Sequence, residues 1–112
     1  MNLQTLIDEL HLKVLTTPKD FSSIQPSSGY TSDLLSCVMT GAEAKGVWVT
    51  LQAHMNIVAV AALLDISAII ITEGAQPDEE TIAKANEEEI TLLWTDQPSY
   101  PVVGKLWEMG LK

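Results

Sequence analysis

The chain has 112 residues, with six Lys, no Arg and fifteen acidic residues, giving a net charge of −9. That length suits one domain rather than two, and 46% hydrophobic residues is too many for a disordered chain. Acidity without Arg argues against a nucleic-acid partner, which needs dense cationic patches, and removes the usual bidentate clamp for a nucleotide phosphate.

Cys37 stands alone, which fits a reducing, cytoplasmic setting. Met1-Asn2-Leu3-Gln4 lacks the basic start and apolar stretch of a signal peptide. The longest nearly apolar stretch, Met55 to Leu64, is too short to span a bilayer, so no membrane partner is expected.

In chain order, Leu3, Leu6, Ile7 and Leu10 recur at three- and four-residue spacing and predict a helix over residues 2–11. Lys13 to Thr16 reads as a short strand, and the Ser- and Pro-rich Thr17 to Ser28 as a loop. Ser32 can cap a short helix over Asp33 to Met39, with Asp33 in its first turn and Gly41 ending it. Gly46 to Leu51 predicts a buried strand, and Met55 to Leu64 a helix that is apolar on nearly all sides. Ser67 to Ile71 predicts the next strand. Pro77 starts a helix whose first turn is Asp78-Glu79-Glu80, with Glu80 and Lys84 as a surface pair. A strand over Thr91 to Trp94 follows. A last helix places Val102, Val103, Leu106 and Trp107 on one face. Strands alternating with helices imply a three-layer α/β/α fold with a mainly parallel sheet of about four strands.

Three of these strands run into small polar clusters: Gln52-Ala53-His54-Met55-Asn56, Thr72-Glu73-Gly74 and Thr95-Asp96-Gln97. In a parallel sheet all three lie at the carboxyl ends of the strands, where such folds bind ligands.

Several blocks resemble the DRTGG domain family. Gly29-Tyr30-Thr31-Ser32-Asp33-Leu34-Leu35-Ser36 with Val38-Met39 is similar to the segment that opens the conserved part of those domains. The run Val47 to Ala61, with its Trp-Val-Thr-Leu-Gln-Ala-His-Met-Asn block, resembles their central strand and helix. Ala68 to Gly74 with Pro77-Asp78, and Gly104 to Leu111, continue the likeness over essentially the whole chain, 1–112, as a single DRTGG-like domain. The residues that name the family would fall on Gln25-Pro26-Ser27-Ser28-Gly29. Only Gly29 matches outright, and the acid–base pair is absent.

The resemblance implies a fold like the amino-terminal domain of HPr kinase/phosphorylase, and more distantly the first domain of Mur ligases. It also implies a regulatory or dimer-forming role, as in modules that accompany CBS domains in some pyrophosphatases and phosphotransacetylases. Stand-alone members of the hydrogenase-associated type are the nearest in kind. No Gly-x-x-x-x-Gly-Lys-Ser/Thr loop is present, so no kinase chemistry comes with the likeness.

Each candidate residue also has a plain structural reading. His54 and Asn56 either aim polar groups at a ligand beside a helix amino terminus, or Asn56 caps the helix and His54 bonds a neighbouring loop. Thr72-Glu73-Gly74 is a ligand-contacting turn or an ordinary strand-to-helix turn. Ser27-Ser28-Gly29 is an anion cradle that closes over the edge, or a flexible turn. Cys37, among Leu34, Leu35 and Val38, reads as a buried inert thiol. Glu87-Glu88-Glu89 reads as a solvated surface, and Trp48, Trp94 and Trp107 as core.

The candidate ligand-binding set is therefore Ser27, Ser28, Gly29, Gln52, His54, Asn56, Thr72, Glu73, Gly74 and Thr95, with Asp96 beside it. No catalytic residue, metal or cofactor is expected. The leading expectation is a non-enzymatic regulatory or small-ligand-sensing module acting as a homodimer, its ligand a neutral small molecule or a nucleotide. The alternatives are a small enzyme with His54 as acid or base, and a subunit that binds another protein through its apolar helix.

Overall fold

A computed structural model describes all residues, Met1–Lys112. Helix α1 (Leu3–Leu10) begins at Asn2, whose side chain accepts from the Thr5 N–H at 2.9 Å, and ends at His11 in the left-handed region. Its buried residues are the four that periodicity selects: Leu3, Leu6, Ile7 and Leu10. Strand β1 (Lys13–Val14) follows, then a single 3-10 turn over Phe21–Ser23 within the long loop. Next come β2 (Gly29–Thr31), α2 (Leu35–Gly41), β3 (Val47–Thr50), α3 (Asn56–Leu64), β4 (Ala68–Ile71), α4 (Glu79–Glu87), β5 (Thr91–Trp94) and α5 (Ser99–Glu108).

The strands form one sheet in the order β1-β5-β4-β3-β2, with only β1 antiparallel. Strands β3 and β4 are buried along their whole length and β5 nearly so, which is why they read as apolar runs rather than alternating ones. Val47, Val49, Ala68, Ile70 and Leu93 face α1 and α5 on one side of the sheet. Trp48, Ile69, Ile71 and Leu92 face α2, α3 and α4 on the other. The architecture is the expected three-layer α/β/α with a mainly parallel sheet.

Local details differ from the sequence reading. The sheet has five strands, because Gly29–Thr31 pairs with β3 as an edge strand. Asp33 does not sit in the first turn of α2. That helix starts at Leu35, with Leu34 at its cap. Cys37 is half-buried rather than enclosed. Trp107 is 58% exposed, since α5 turns Val102 and Leu106 inward and leaves the indole outside. Lys84 pairs with Glu87 and Glu88, at 3.8 and 3.3 Å, rather than with Glu80.

Candidate functional site

The connections out of β2, β3 and β4 each pass through a helix on the same face, whereas the chain leaving β5 crosses to α5 on the opposite face. The divergence that opens a ligand crevice in such sheets therefore lies between the carboxyl ends of β4 and β5. Here that crevice is closed by the chain's own bonds. The Glu73 N–H donates to the Gln97 carbonyl at 2.8 Å, and the Gly74 N–H to the Thr95 carbonyl at 3.2 Å. The Thr72 hydroxyl meets Ser99 Oγ, and Thr95 Oγ1 accepts from the Gln97 backbone and side-chain amides. Glu73 Oε2 accepts from the Ser99 N–H at 2.8 Å. A carboxylate of the protein thus occupies the start of α5, where an anionic ligand would otherwise bind. Glu73 and Gly74 both adopt positive φ, 61° and 71°, to make this turn. Asp96 is exposed beside it.

The carboxyl end of β3 is tied down differently. Asp33 Oδ1 accepts from the Thr50 hydroxyl and the Leu51 N–H, each at 2.8 Å. Gln52 Nε2 donates to the Asp33 carbonyl at 3.1 Å. Of the sequence candidates, Gln52, Thr72, Glu73, Gly74 and Thr95 are therefore engaged in internal hydrogen bonds.

His54 is placed otherwise. The Asn56 N–H donates to His54 Nδ1 at 3.1 Å. The imidazole, not Asn56, caps the start of α3, and this leaves Nε2 to carry the ring N–H. Asn56 is exposed as the first residue of the helix. His54 lines a cleft of about 430 Å³ between the beginnings of α3 and α4, with Ala53, Met55, Gln76, Asp78, Glu80 and Thr81. Asp78 caps α4: its carboxylate accepts from the Thr81 N–H at 2.8 Å. Hydrogen bonds from the Thr81 backbone and hydroxyl hold this carboxyl below the usual aspartate range. The cleft offers an imidazole, an amide and a hydroxyl beside two carboxylates and no cation. It suits a neutral or cationic polar ligand and opposes a polyphosphate.

Ser27, Ser28 and Gly29 lie at the other end of the sheet. The Ser27 N–H donates to the Lys45 carbonyl at 3.0 Å, Ser27 Oγ to the Ala44 carbonyl at 2.7 Å, and the Val47 N–H to the Ser28 carbonyl at 2.8 Å. These contacts place the turn at the amino ends of β2 and β3, roughly 13 Å of strand away from the polar edge. It does not close over His54. The expectation failed because β2 runs parallel to β3, which sends its start to the opposite edge.

A second concavity, of about 270 Å³, opens between β2 and α5. Gly29, Tyr30, Thr31, Val49, Val103, Leu106, Trp107, Leu111 and Lys112 line it. Sequence reasoning missed it. The available signals were a glycine in a strand and a tryptophan one helix turn beyond Val103 and Gly104.

The arrangement defines a mainly parallel α/β/α fold of the DRTGG-like kind. It is similar to the CBS and DRTGG domains of the regulatory region of Clostridium perfringens pyrophosphatase, solved in complex with its activator diadenosine tetraphosphate. The TM-score is 0.74 at 18% identity, over 91% of this chain and 44% of that one. The chain thus spans less than half the length of that neighbour, and the likeness is one of fold. No protein-family model and no curated protein matches the sequence. No helix is long and apolar enough to cross a membrane.

Proposed function

We propose that this chain is a non-enzymatic regulatory module, a single DRTGG-like domain that senses a small ligand in the His54 cleft and acts as a homodimer. The observation that carries the reading is the cleft itself. It is the open polar space at the carboxyl edge, and it sits where two helices begin side by side. A ligand seated there would contact the first turns of α3 and α4 together and so bias how the two helices pack. The regulatory character of the fold neighbour supports the module reading, while its polyphosphate activator is of a kind this acidic cleft disfavours. The acidic lining favours the base and ribose of a nucleoside, or an amide-bearing metabolite, over a phosphate chain.

Mass spectrometry of the purified protein for a co-purifying metabolite tests this first, followed by thermal denaturation with adenosine, glutamine and diadenosine tetraphosphate. A ligand at a hundred times its Kd adds about 2.7 kcal/mol. For a domain of this size that raises Tm by roughly 10 °C or more. The rise is expected with a neutral ligand and is expected to vanish in His54→Ala. Equal stabilisation of wild type and His54→Ala would move the ligand elsewhere.

The dimer is supported by α3, whose outward face carries Ala59, Ala62 and Leu63, the last 69% exposed. A helix covering a sheet ordinarily shows water a polar face. Sedimentation at micromolar concentration is expected to give a dimer mass for wild type and a monomer mass for Leu63→Glu. A wild-type monomer would end the dimer reading.

A further inference from the structure

We infer that the open edge of β2 docks an extended segment of a partner protein, which adds a strand to the sheet and seats one bulky apolar side chain against Trp107. This goes beyond the ligand reading and involves none of the residues of the His54 cleft.

Strand β2 is hydrogen-bonded on one side only. With Tyr30 opposite Trp48 and the Val47 N–H bonded to Ser28, Ser28 and Tyr30 serve β3. The peptide groups of Gly29 and Thr31 then point outward. Folded proteins usually blunt such an edge with charge, proline or a bulge. The opposite edge has the charge, at exposed Lys13. Gly29-Tyr30-Thr31 has no charge, proline or bulge, and only its three-residue length restrains it.

What lies beside the edge favours occupancy. The side-chain position at Gly29 is empty, and the 270 Å³ cavity begins there. Helix α5 continues the apolar surface with Tyr100, 91% exposed, and Trp107, 58% exposed. Between them Gly104 has no atom within 4 Å of where a Cβ would stand. A mid-helix glycine costs roughly 1 kcal/mol against alanine, and nothing inside the molecule requires it. Strand addition combines these parts: the outward peptide groups bind the added backbone, and the pocket selects its alternate side chains.

A second copy paired through its own β2 leaves the cavity unfilled. Two β2 edges paired antiparallel about Tyr30 would bring only Gly29 and Thr31 over the cavity. A leucine or phenylalanine of a different chain fits the space. The one charged residue of the lining is Lys112, with Nζ 5.2 Å from the centre of the Trp107 ring. The occupant is therefore an extended segment with a bulky apolar residue and a carboxylate next to it.

The test uses fluorescein-labelled octapeptides of alternating Thr and Val with a central Leu-Glu or Phe-Glu pair. Control peptides carry Ala for the anchor or Lys for the glutamate. Anisotropy is expected to show binding of the anchored peptides, at least tenfold weaker for either control. Amide hydrogen exchange at Gly29 and Thr31 is expected to slow at least tenfold with peptide. Gly29→Val puts a branched side chain into the mouth of the cavity, where its Cβ would meet Leu111 at an ordinary 3.6 Å. Binding to this variant is expected to fall at least tenfold while urea denaturation shows it folded, whereas Lys13→Ala on the opposite edge should bind like wild type. Undiminished binding to Gly29→Val, or no peptide binding at all, overturns the proposal. So does concentration-dependent protection of Gly29 and Thr31 without peptide, which would assign the edge to a second copy.

Discussion

Replacing Trp48 with alanine is expected to remove about 3–5 kcal/mol of stability, the range for deleting a large buried aromatic. Trp48 is fully buried, the largest such side chain in the molecule. It stands on β3 between Tyr30 of β2 and Ile69 of β4, under α2 and α3. Its indole N–H donates to the Ser32 carbonyl at 2.9 Å, so truncation also strands an acceptor. Domains of this size hold roughly 5–15 kcal/mol in total, so the loss is a large share of the stability. Trp48→Phe keeps most of the packing and loses the bond, and should cost about 1–2 kcal/mol. Trp107→Ala should fall within about 0.5 kcal/mol of wild type, as surface substitutions do. Urea denaturation of the three variants measures this. Equal losses from Trp48→Ala and Trp107→Ala would contradict the placement of both rings.

That contrast marks what the sequence could and could not reveal. Trp48 sits between two valines in a strand pattern, and Trp107 reads as core only through its helical spacing with Val103, since Lys105 and Glu108 stand close to it. In the fold the difference is one of face: α5 turns Val102 and Leu106 to the sheet and leaves Trp107 58% exposed. The central strands were legible because burial on both faces demands β-branched and apolar runs. Helix α1 was legible because its four inward residues fall at helical spacing. β2 was not, since Gly-Tyr-Thr carries neither pattern. From that one omission followed the misplaced Ser27-Ser28-Gly29 turn, because a loop without a strand has no direction. The candidate site was legible in part. The carboxyl edge gathers the polar clusters, but which groups remain open depends on partners distant in sequence. Glu73 meets the backbone of Ser99, and His54 faces Asp78 across the cleft.

Asp33 shows the same dependence. Beside Ser32 it reads as a first-turn acid that favours the helix dipole, a surface role worth little. In the fold its carboxylate instead joins the segment before α2 to the end of β3, through the Thr50 hydroxyl and the Leu51 N–H. Hydrogen bonds to a charged acceptor contribute about 1.5–3 kcal/mol each when shielded. Asp33 is exposed, so water competes for both. Asp33→Ala is therefore expected to cost about 2 kcal/mol in all, lowering Tm by roughly 8–16 °C. Asp33→Asn retains one acceptor oxygen without the charge and should lose less. The loss should be felt further on. Leu51 and Gln52 lead directly into Ala53-His54-Met55, so freeing the end of β3 loosens the wall of the cleft. Amide exchange of Leu51 through Asn56 is expected to quicken in Asp33→Ala more than that of β5, although Asp33 lines no part of the cleft. Uniform acceleration across both strands would mean that the bond contributes only to global stability. An unchanged Tm would mean that water replaces the carboxylate at no cost.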